Sequence, residues 1–447
     1  MMKSKAYYFT KKGLVLLIML AVICSAGCSS SSRGDLKKIY DEYEGNTLLI
    51  GGWVTPRGEF VKTAEEAEAR YKELADAGIN MMYTFDDTDD PDRLKRVMDA
   101  AEKSGIKLVV HLDLNNFNHS LDIVNMTKDH PAVIGYILKD EPPASLFPGL
   151  LALRKKVYDI VGDDKIIMIN LLPNYASDAQ LGVVPKDGKT SYQIYVEQSM
   201  KIVNPTLLCT DYYMFRAGKD GDPGVLAGYY RNMFDLRDAA NEYEVDLWGF
   251  LQNSGWAGMR EPNKAELRFS AHVNLAFGVK CLAYFLCWNP HADSIKGDGR
   301  YDPTSMISYD GKITDNYYKV QAINKELHAM KGVYLDYKHK GIIMYEKTPF
   351  VKSTIPEENL LESFNELVSL DAARNTLVGC FEKEGKTGLY VVNCDYSDNG
   401  VNTVKLKLND KHTYRIWSKD GLIAQKKSDT VSLKLIPGEG VFVQIID

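Results

Sequence analysis

From about residue 47 onward, short β-rich runs alternate with longer stretches of helical period, and this rhythm constrains the fold more than any other feature. The first unit shows the pattern. The run "NTLLIGGWV" (46–54) is followed by "TAEEAEARYKELADAG", in which Thr63 is a candidate N-cap and Gly78 a stop signal. The β-rich runs recur at 46–54, 79–87, 107–114, 132–141, 165–172, 206–215, 246–253 and 281–288. Such alternation predicts parallel strands joined by crossover helices.

The number of these units selects among parallel folds. Eight strand–helix units in about 290 residues come close to the ~250 residues that are typical of a (β/α)8 barrel. A doubly wound open sheet is the alternative, but no Gly-rich phosphate loop follows the first run. We therefore predict an α/β fold, a (β/α)8 TIM barrel over residues 45–336.

After about Tyr337 the pattern changes to short alternating runs separated by Gly, Asn and Asp turns. This pattern predicts a small antiparallel β-sandwich domain at residues 337–447. Only the stretch "PEENLLESFNELVSL" (356–370) has a helical period there.

The N-terminus has the features of a secretory leader. Basic residues precede the apolar stretch "GLVLLIMLAVIC", which is too short to span a bilayer stably. The small residues before Cys28 resemble the lipobox of bacterial lipoproteins, in which the cysteine is lipidated. We predict a signal peptide at 1–27, a tether at 28–44, and a lipid anchor to the cell envelope; Ser29 favours the outer membrane. A plain secretory signal with a chance cysteine is the alternative.

Charge and cysteine content exclude several function classes. A net charge of -6 without a long basic run offers no surface for nucleic acid. Of the seven cysteines, Cys24 lies in the leader and Cys28 is the predicted lipidation site, and the other five show neither CxxC nor CxxH spacing. We expect buried structural thiols such as Cys209, Cys281 and Cys287, without a disulfide framework.

The polar and aromatic residues at the ends of the predicted strands are the candidate site, because barrel active sites lie at the C-terminal ends of the strands. These candidates are Trp53, Tyr83, Asp87, Asp113, Asp140, Glu141, Asn170, Asp211, Tyr213, Gln252, Trp256 and Trp288. They contain no Ser–His–Asp set and no dense His/Cys set. Because His111 and Asp113 provide only two metal ligands, we predict no metal and no other cofactor.

Carboxylates combined with aromatic rings suit carbohydrate chemistry. Glycoside hydrolysis uses one carboxylic acid to protonate the leaving oxygen and a second carboxylate as nucleophile or base. Aromatic rings stack on sugars, and amides bind their hydroxyl groups. The alternative is that the strand-end acids only contact solvent or cap the next helix.

Three features resemble glycoside hydrolase clan A, in particular its family 42-like and lipoprotein members. They are a fourth strand ending in Glu141, an eighth strand ending in Trp288, and a β domain after the barrel. The segment "KAELRFSAHVNLAFGVKCLAYFLCW" is also similar to the pair that closes those barrels. The resemblance covers about residues 45–335. It implies that Glu141 is the general acid/base and that Trp288 lies in the sugar subsite.

The sequence departs from that clan at two positions. Asp140 stands where the clan has asparagine, and Gln252 stands where it has the nucleophilic glutamate at the end of the seventh strand. An amide cannot form a glycosyl ester. Asp211, at the end of the sixth strand, is the best second carboxylate, and Asp140 with Asp211 would resemble the aspartate pair of α-galactosidase-like retaining enzymes.

We therefore predict a glycosidase acting on an oligosaccharide or polysaccharide, with Glu141 as proton donor and Asp211 or Asp87 as its partner. Because side chains alternate along a strand, we expect that Asp140 and Glu141 do not both face the pocket. The other candidates are predicted to bind substrate: Trp53, Tyr83, Asp87, Asp113, Asn170, Tyr213, Gln252, Trp256 and Trp288. A non-catalytic carbohydrate-binding lipoprotein and a structural scaffold are the competing interpretations.

Overall fold

The computed structural model describes residues 47–84, 87–219, 222–256, 258–290, 304–347, 352, 355–397 and 399–447. The predicted leader, the lipidation site Cys28 and the tether lie outside the described residues.

Eight parallel strands form the predicted barrel, and one lies within or next to each β-rich run of the sequence. They are β1 (Leu49–Gly52), β2 (Met81–Thr84), β3 (Lys107–His111), β4 (Val133–Asp140), β5 (Ile166–Asn170), β6 (Leu207–Thr210), β7 (Asp246–Gln252) and β8 (Val279–Phe285). Strand β1 pairs with both β2 and β8. A parallel bridge between Leu171 and Thr210 joins the β5 and β6 edges and closes the barrel. The (β/α)8 prediction is confirmed.

The crossover helices cover the outside of the barrel. They are α1 (Ala64–Asp76), α2 (Pro91–Lys103), α3 (Phe117–Thr127), α4 (Phe147–Val161), α5 (Asp178–Leu181), α6 (Ser191–Gln198), α7 (Pro223–Glu242), α8 (Lys264–Ala276) and α9 (Asp315–Ala329). Thr63 caps α1 as expected, because its side chain and that of Glu66 each accept a hydrogen bond from the other residue's backbone amide. None of the helices in the described ranges is both long and apolar enough to cross a membrane.

Side chains alternate between two cores, as the period of a β-strand requires. One set of strand residues faces the barrel interior, for example Leu49, Met81 and Trp248. The intervening residues, such as Ile50 and Met82, pack against the helices. This alternation decides which residue at each strand end faces the mouth of the barrel.

The C-terminal domain is one antiparallel sheet of seven strands that encloses a core of its own. Its strands are β9 (Lys338–Tyr345), β10 (Leu367–Ala372), β11 (Thr376–Lys383), β12 (Lys386–Asn393), β13 (Asn402–Ser418), β14 (Gly421–Leu435) and β15 (Gly440–Ile445). The first half of β13 pairs with β10 and its second half with β15, so one long strand connects both parts of the sheet. The small antiparallel β domain is confirmed.

The helical period at 356–370 does not form an α-helix. The segment contains a short 3-10 turn at Glu357–Asn359, and its last residues belong to β10, which pairs with β13. Here cross-strand pairing outweighs the local helical pattern.

Helix α8 lies between the barrel and the β sheet, and every residue from Glu266 to Ala276 is buried. His272 Nδ1 lies 2.8 Å from the hydroxyl oxygen of Tyr390 on β12. Arg268 bonds the Glu326 carboxylate on α9 at 2.6 Å. The cysteines of the described residues are all free thiols, and Cys209, Cys281 and Cys287 are buried as predicted.

Candidate functional site

The inward-facing residues at the C-terminal ends of the eight strands form the floor of the candidate site. In strand order they are Trp53, Tyr83, His111, Asp140, Asn170, Asp211, Gln252 and Phe285. Six of these eight residues were predicted, because they are polar or aromatic residues at the ends of the β-rich runs of the sequence.

A bulge in β4 turns Asp140 into the barrel. Ile137 pairs with Met168 of β5, but the next pair is Asp140 with Asn170, so three residues on β4 span two on β5. The Asn170 side-chain amide donates a hydrogen bond of 3.0 Å to Asp140 Oδ1. An extra residue of this kind reverses the facing of the side chains that follow it. We expected that Asp140 and Glu141 do not both face the pocket, because side chains alternate along a regular strand. The bulge interrupts this alternation at the end of β4.

Glu141 follows directly and has a backbone φ of +44°. A non-glycine residue pays a conformational cost in this left-handed region, and such strain concentrates at functional sites. Two contacts hold the conformation: the Glu141 amide donates to the Asn170 carbonyl at 2.9 Å, and the Tyr195 hydroxyl donates to the Pro142 carbonyl at 2.8 Å. The Glu141 side chain is exposed at the mouth of the barrel.

Asp211 follows β6 and faces the same space. Cys209 and Tyr213, two residues before and after it, belong to the interior core, which fixes its inward direction. Only 8% of Asp211 is exposed, and its Oδ1 has no hydrogen-bond partner. A buried carboxyl oxygen that the protein leaves unsatisfied is available to a ligand.

The three carboxyl groups interact electrostatically. Burial raises the pKa of Asp211 well above its usual range, and the negative charges of Glu141 and Asp140 raise it further. The Glu141 carboxyl group is partly desolvated although the residue as a whole is exposed, and this desolvation and the charge of Asp140 raise its pKa to about 7. Burial also raises the pKa of Asp140, although the Asn170 hydrogen bond and the Lys139 charge oppose this shift. Because these like charges repel one another, the groups that ionise last bind their protons more tightly than isolated carboxyl groups do.

Gln252 is committed to the backbone of two neighbouring loops. Its side-chain oxygen accepts from the Phe215 amide at 2.9 Å, and its nitrogen donates to the carbonyls of Phe215 at 2.9 Å and Arg260 at 2.8 Å. Only 2% of Gln252 is exposed. The amide therefore holds the loops after β6 and β7 together, which argues against the predicted role in substrate binding.

Aromatic rings form two groups at the floor. Trp53 contacts Tyr83, with ring centroids 5.1 Å apart, and both are buried. Half-buried Trp256 makes edge contacts with Tyr213 and Phe285, each at 4.8 Å. Of these rings, Trp256 and Phe285 retain partial exposure and can face a ligand.

Trp288 does not lie at the site. It is 0% exposed and belongs to the outer core, where its ring centroid is 5.1 Å from that of Phe60. Strand β8 ends at Phe285, which has the inward parity of Cys281 and Ala283. The prediction placed the strand end three residues too late. Phe285, rather than Trp288, is the aromatic residue that ends β8.

Asp87 and Asp113 are occupied by local structure. The buried Asp87 accepts from the Thr55 hydroxyl at 2.8 Å and lies 3.2 Å from Arg93 Nε. The exposed Asp113 accepts from the Asn115 amide at 2.9 Å and caps a short helical turn. The predicted roles of Asp87 as catalytic partner and of both residues in substrate binding are not supported, because other groups hold these carboxylates.

Two residues at the mouth were not predicted from the sequence. Tyr175, on the loop after β5, is 44% exposed, and the guanidinium of Arg216 lies 5.1 Å from its ring centroid. The loop is held on α7 by Asn174, whose side chain donates to the Gly228 carbonyl at 2.9 Å. Neither residue ends a strand, so only the loop conformations bring them to the site.

A metal centre is not formed by the part of the chain that the structure describes, where no three His, Cys, Asp or Glu side chains converge to hold an ion. Burial lowers the pKa of His111 to about 4, and the nearby Lys139 charge acts in the same direction. His111 is therefore a neutral imidazole at physiological pH.

Comparison with known proteins gives the fold. No protein-family model matches the sequence, and no curated protein matches it. The β-galactosidase from Bacillus circulans sp. alkalophilus has a similar structure over 90% of this chain and 99% of that chain, at 9% identity and a TM-score of 0.60. A glucosidase from Croceicoccus marinus covers 90% and 96% at 10% identity, with a TM-score of 0.47.

An endo-β-1,4-mannanase from Thermotoga petrophila is also similar, over 87% of this chain and 97% of that chain, at 10% identity and a TM-score of 0.43. These structural neighbours are glycoside hydrolases. At such identities the likeness to the β-galactosidase shows a shared architecture, the (β/α)8 barrel with a further β domain.

Proposed function

We propose that this protein is a glycoside hydrolase in which Glu141 protonates the leaving oxygen. The observation that carries the proposal is the cluster of three interacting carboxyl groups from β4 and β6, with the pKa of Glu141 raised to about 7. A group with this pKa is largely protonated just below neutral pH and can release its proton there. Its exposure lets it reach a bound substrate.

The second carboxylate comes from Asp140 or Asp211. The hydrogen bond from Asn170 and the charge of Lys139 favour the ionised form of Asp140. Hydrogen bonds from Tyr213 and from its own backbone amide favour the ionised form of Asp211, but burial and the charges of Glu141 and Asp140 outweigh them and raise its pKa well above the usual range. We therefore infer that Asp140 carries the negative charge in the resting cluster, and that Asp211 shares a proton with its neighbours.

Substitution of Glu141 by Gln tests the proposal. We expect kcat on an aryl glycoside or oligosaccharide substrate to fall by about 10²–10⁴-fold, because the proton donor is lost. In the wild type, kcat/KM should fall as the pH rises through about 7, since the donor must be protonated.

The matched control is Glu68→Gln on α1, whose partner is Lys103 on the outer surface; its kcat should stay within twofold of wild type. A Glu141→Gln variant that keeps both the activity and the alkaline limb would remove Glu141 from this role.

Carbohydrate binding without turnover is the second candidate. Gln252 favours it, because an amide bound to three backbone groups occupies the position from which clan A enzymes supply their nucleophile. Isothermal titration with the sugars of the activity panel separates the two functions. Binding of a sugar that the wild-type protein never hydrolyses would select the second.

We also propose that the protein is anchored to the envelope through a lipid on Cys28, as its leader sequence indicates. In a bacterial host, a Cys28→Ala variant should move from the membrane pellet to the soluble fraction. Its retention in the pellet after a carbonate wash would contradict the anchor.

A further inference from the structure

Arg216 is a positive charge at the mouth of the barrel that has no counter-ion among the residues that the structure describes. Its Nε is buried and has no hydrogen-bond partner, and its guanidinium forms no ion pair with the described residues. Arg260 on the neighbouring loop differs, because it bonds Glu266 at 2.8 Å. Because the buried Nε of this half-buried arginine lacks an acceptor, a ligand that supplies one would lower the free energy of the site.

The position of Arg216 is fixed by its surroundings. It forms an isolated antiparallel bridge with Met259 of the loop after β7. The Gln252 side chain accepts a hydrogen bond from the backbone amide of the neighbouring Phe215 and donates one to its carbonyl. The guanidinium lies over the ring of Tyr175, at 5.1 Å from the centroid. An arginine held in this way loses little further side-chain entropy when it binds a ligand.

Tyr175 connects this cation to the carboxyl cluster. Besides burial, the negative charges of Asp211 and Glu141 raise the pKa of Tyr175, and the positive charge of Arg216 opposes them. The Tyr175 ring also makes an edge contact with Tyr212, the residue after Asp211, with centroids 5.1 Å apart, so that it adjoins both the Arg216 guanidinium and the segment that carries Asp211. A sugar held at the carboxyl groups would lie beside Tyr175, with its substituents within reach of Arg216.

We propose that the site at the barrel mouth binds an anionic sugar, whose carboxylate or sulfate group is bound by Arg216 while its ring lies beside Tyr175. The substrate class is then a hexuronate-containing or sulfated glycan, an inference that rests on the proposed function for the location of the sugar. A guanidinium forms two parallel hydrogen bonds with either anion. The charge of Arg216 also offsets the repulsion that the carboxyl cluster exerts on such a substrate.

Binding to the full chain tests the proposal without requiring turnover. The probes are galacturonate and glucuronate, galactose 6-sulfate, and the neutral sugars galactose and glucose, measured by titration calorimetry or ligand-observed NMR. We expect at least one anionic probe to bind about tenfold more tightly than its neutral counterpart, with an affinity that falls as NaCl is raised. The comparison of uronate with sulfate identifies which anion the site accepts. Equal affinity for charged and neutral probes would overturn the proposal.

Two variants locate the effect. Arg216→Gln should lose about tenfold or more in affinity for the anionic probe and leave the neutral sugars unchanged. The control is Lys219→Gln, which removes a cation of the same loop that pairs with Asp222 at 3.6 Å; its effect should stay below twofold. If Arg216→Gln fails to fold, the affinity of Arg216→Lys for the anionic probe and the salt dependence of wild-type binding test the proposal instead. Wild-type binding of the anionic probe that is insensitive to salt contradicts the proposal.

The outcomes separate this proposal from the proposed function. Selective binding of the anionic probe through Arg216, without hydrolysis of any glycan, keeps the anion site and removes the hydrolase. Hydrolysis that requires Glu141 but acts equally on neutral glycans, with KM unchanged by Arg216→Gln, keeps the hydrolase and removes the anion site.

Discussion

The carboxyl groups at the barrel mouth show how one residue's chemistry depends on its immediate neighbours. Asp140, Glu141 and Asp211 have ordinary side chains, but burial raises the pKa of each, and the charges of neighbouring carboxylates raise the pKa values of Glu141 and Asp211 further. Glu141 in addition has a strained backbone with a φ of +44°. Such groups cost the folded state free energy and are typical of sites where activity, rather than stability, is the selected property.

Neutralising Asp211 should therefore stabilise the protein in a pH-dependent way. A carboxyl group with a raised pKa in the folded state binds its proton more tightly there than in the unfolded chain. Stability is accordingly lost as the pH rises above the unfolded pKa of about 4. An asparagine cannot ionise and avoids this loss. We expect Asp211→Asn to melt near the wild-type temperature at pH 4 and roughly 1–3 °C higher at pH 8.

Thermal unfolding monitored by circular dichroism between pH 4 and 8 measures the effect. Asp122→Asn on α3 is the control, since Asp122 is exposed and its substitution should have the same small effect throughout. A difference in melting temperature between Asp211→Asn and wild type that stays constant across this pH range would contradict the raised pKa of Asp211.

At the scale of elements, the ends of β4, β6 and β7 define the site through their registers. The bulge in β4 brings Asp140 beside Asn170, and the parity of β6 turns Asp211 inward. At the end of β7, Gln252 joins the loops that follow β6 and β7. The Gln252 side chain stabilises these loops. The second carboxylate of the proposed mechanism therefore comes from Asp140 or Asp211, and not from the end of β7.

Restoring a glutamate at Gln252 should damage the fold instead of supplying a nucleophile. The side-chain nitrogen that donates to the Phe215 and Arg260 carbonyls would be replaced by an oxygen, which faces the same two acceptors. We expect Gln252→Glu to lower the free energy of unfolding by about 2–4 kcal/mol and to leave activity no higher. Urea denaturation and the kinetic assay measure the two effects.

Gln425→Glu is the matched change, because Gln425 is exposed and its oxygen accepts from Arg415 Nε, a contact that a carboxylate retains. The free energy of unfolding and the activity of Gln425→Glu should stay close to those of the wild type. A more active Gln252→Glu variant of unchanged stability would show that Gln252 stands in a nucleophile's place with room for a carboxylate.

For the whole molecule, the barrel and the β sheet share helix α8. Barrel strands contact one side of this helix and the β sheet the other, which explains why its residues from Glu266 to Ala276 are all buried. At Gly379 on β11, an added Cβ would lie 2.1 Å from the Ala276 carbonyl oxygen. The sheet approaches the helix backbone so closely only because this residue has no side chain.

Gly379→Ala should consequently destabilise the whole molecule, by about 1–3 kcal/mol or more, since backbone atoms at the interface must move apart. Gly149→Ala on α4 is the control. Its Cβ would meet Leu114 at an ordinary 3.5 Å, and replacing a helical glycine typically stabilises by about 0.5–1 kcal/mol. Differential scanning calorimetry of both variants tests the prediction. A Gly379→Ala protein that melts with the wild type would contradict the close contact.

Local patterns in the sequence determined the elements of this protein. The eight β-rich runs, the capping box at Thr63 and the inward parity of Asp211 follow from periods and residue preferences that act over a few positions. The β-rich runs likewise predicted Glu141 and Asn170 at or next to the strand ends. These features could be predicted because strand and helix geometry repeats along the chain.

Only the tertiary structure decided which strand-end residues meet. The inward direction of Asp140 depends on a bulge that is defined by the pairing with β5, and the outward direction of Trp288 depends on where β8 ends. Arg216 and Tyr175 meet because loops after different strands converge. Register, strand ends and loop paths are set by contacts between distant segments, and for this reason no local period of the sequence contains them.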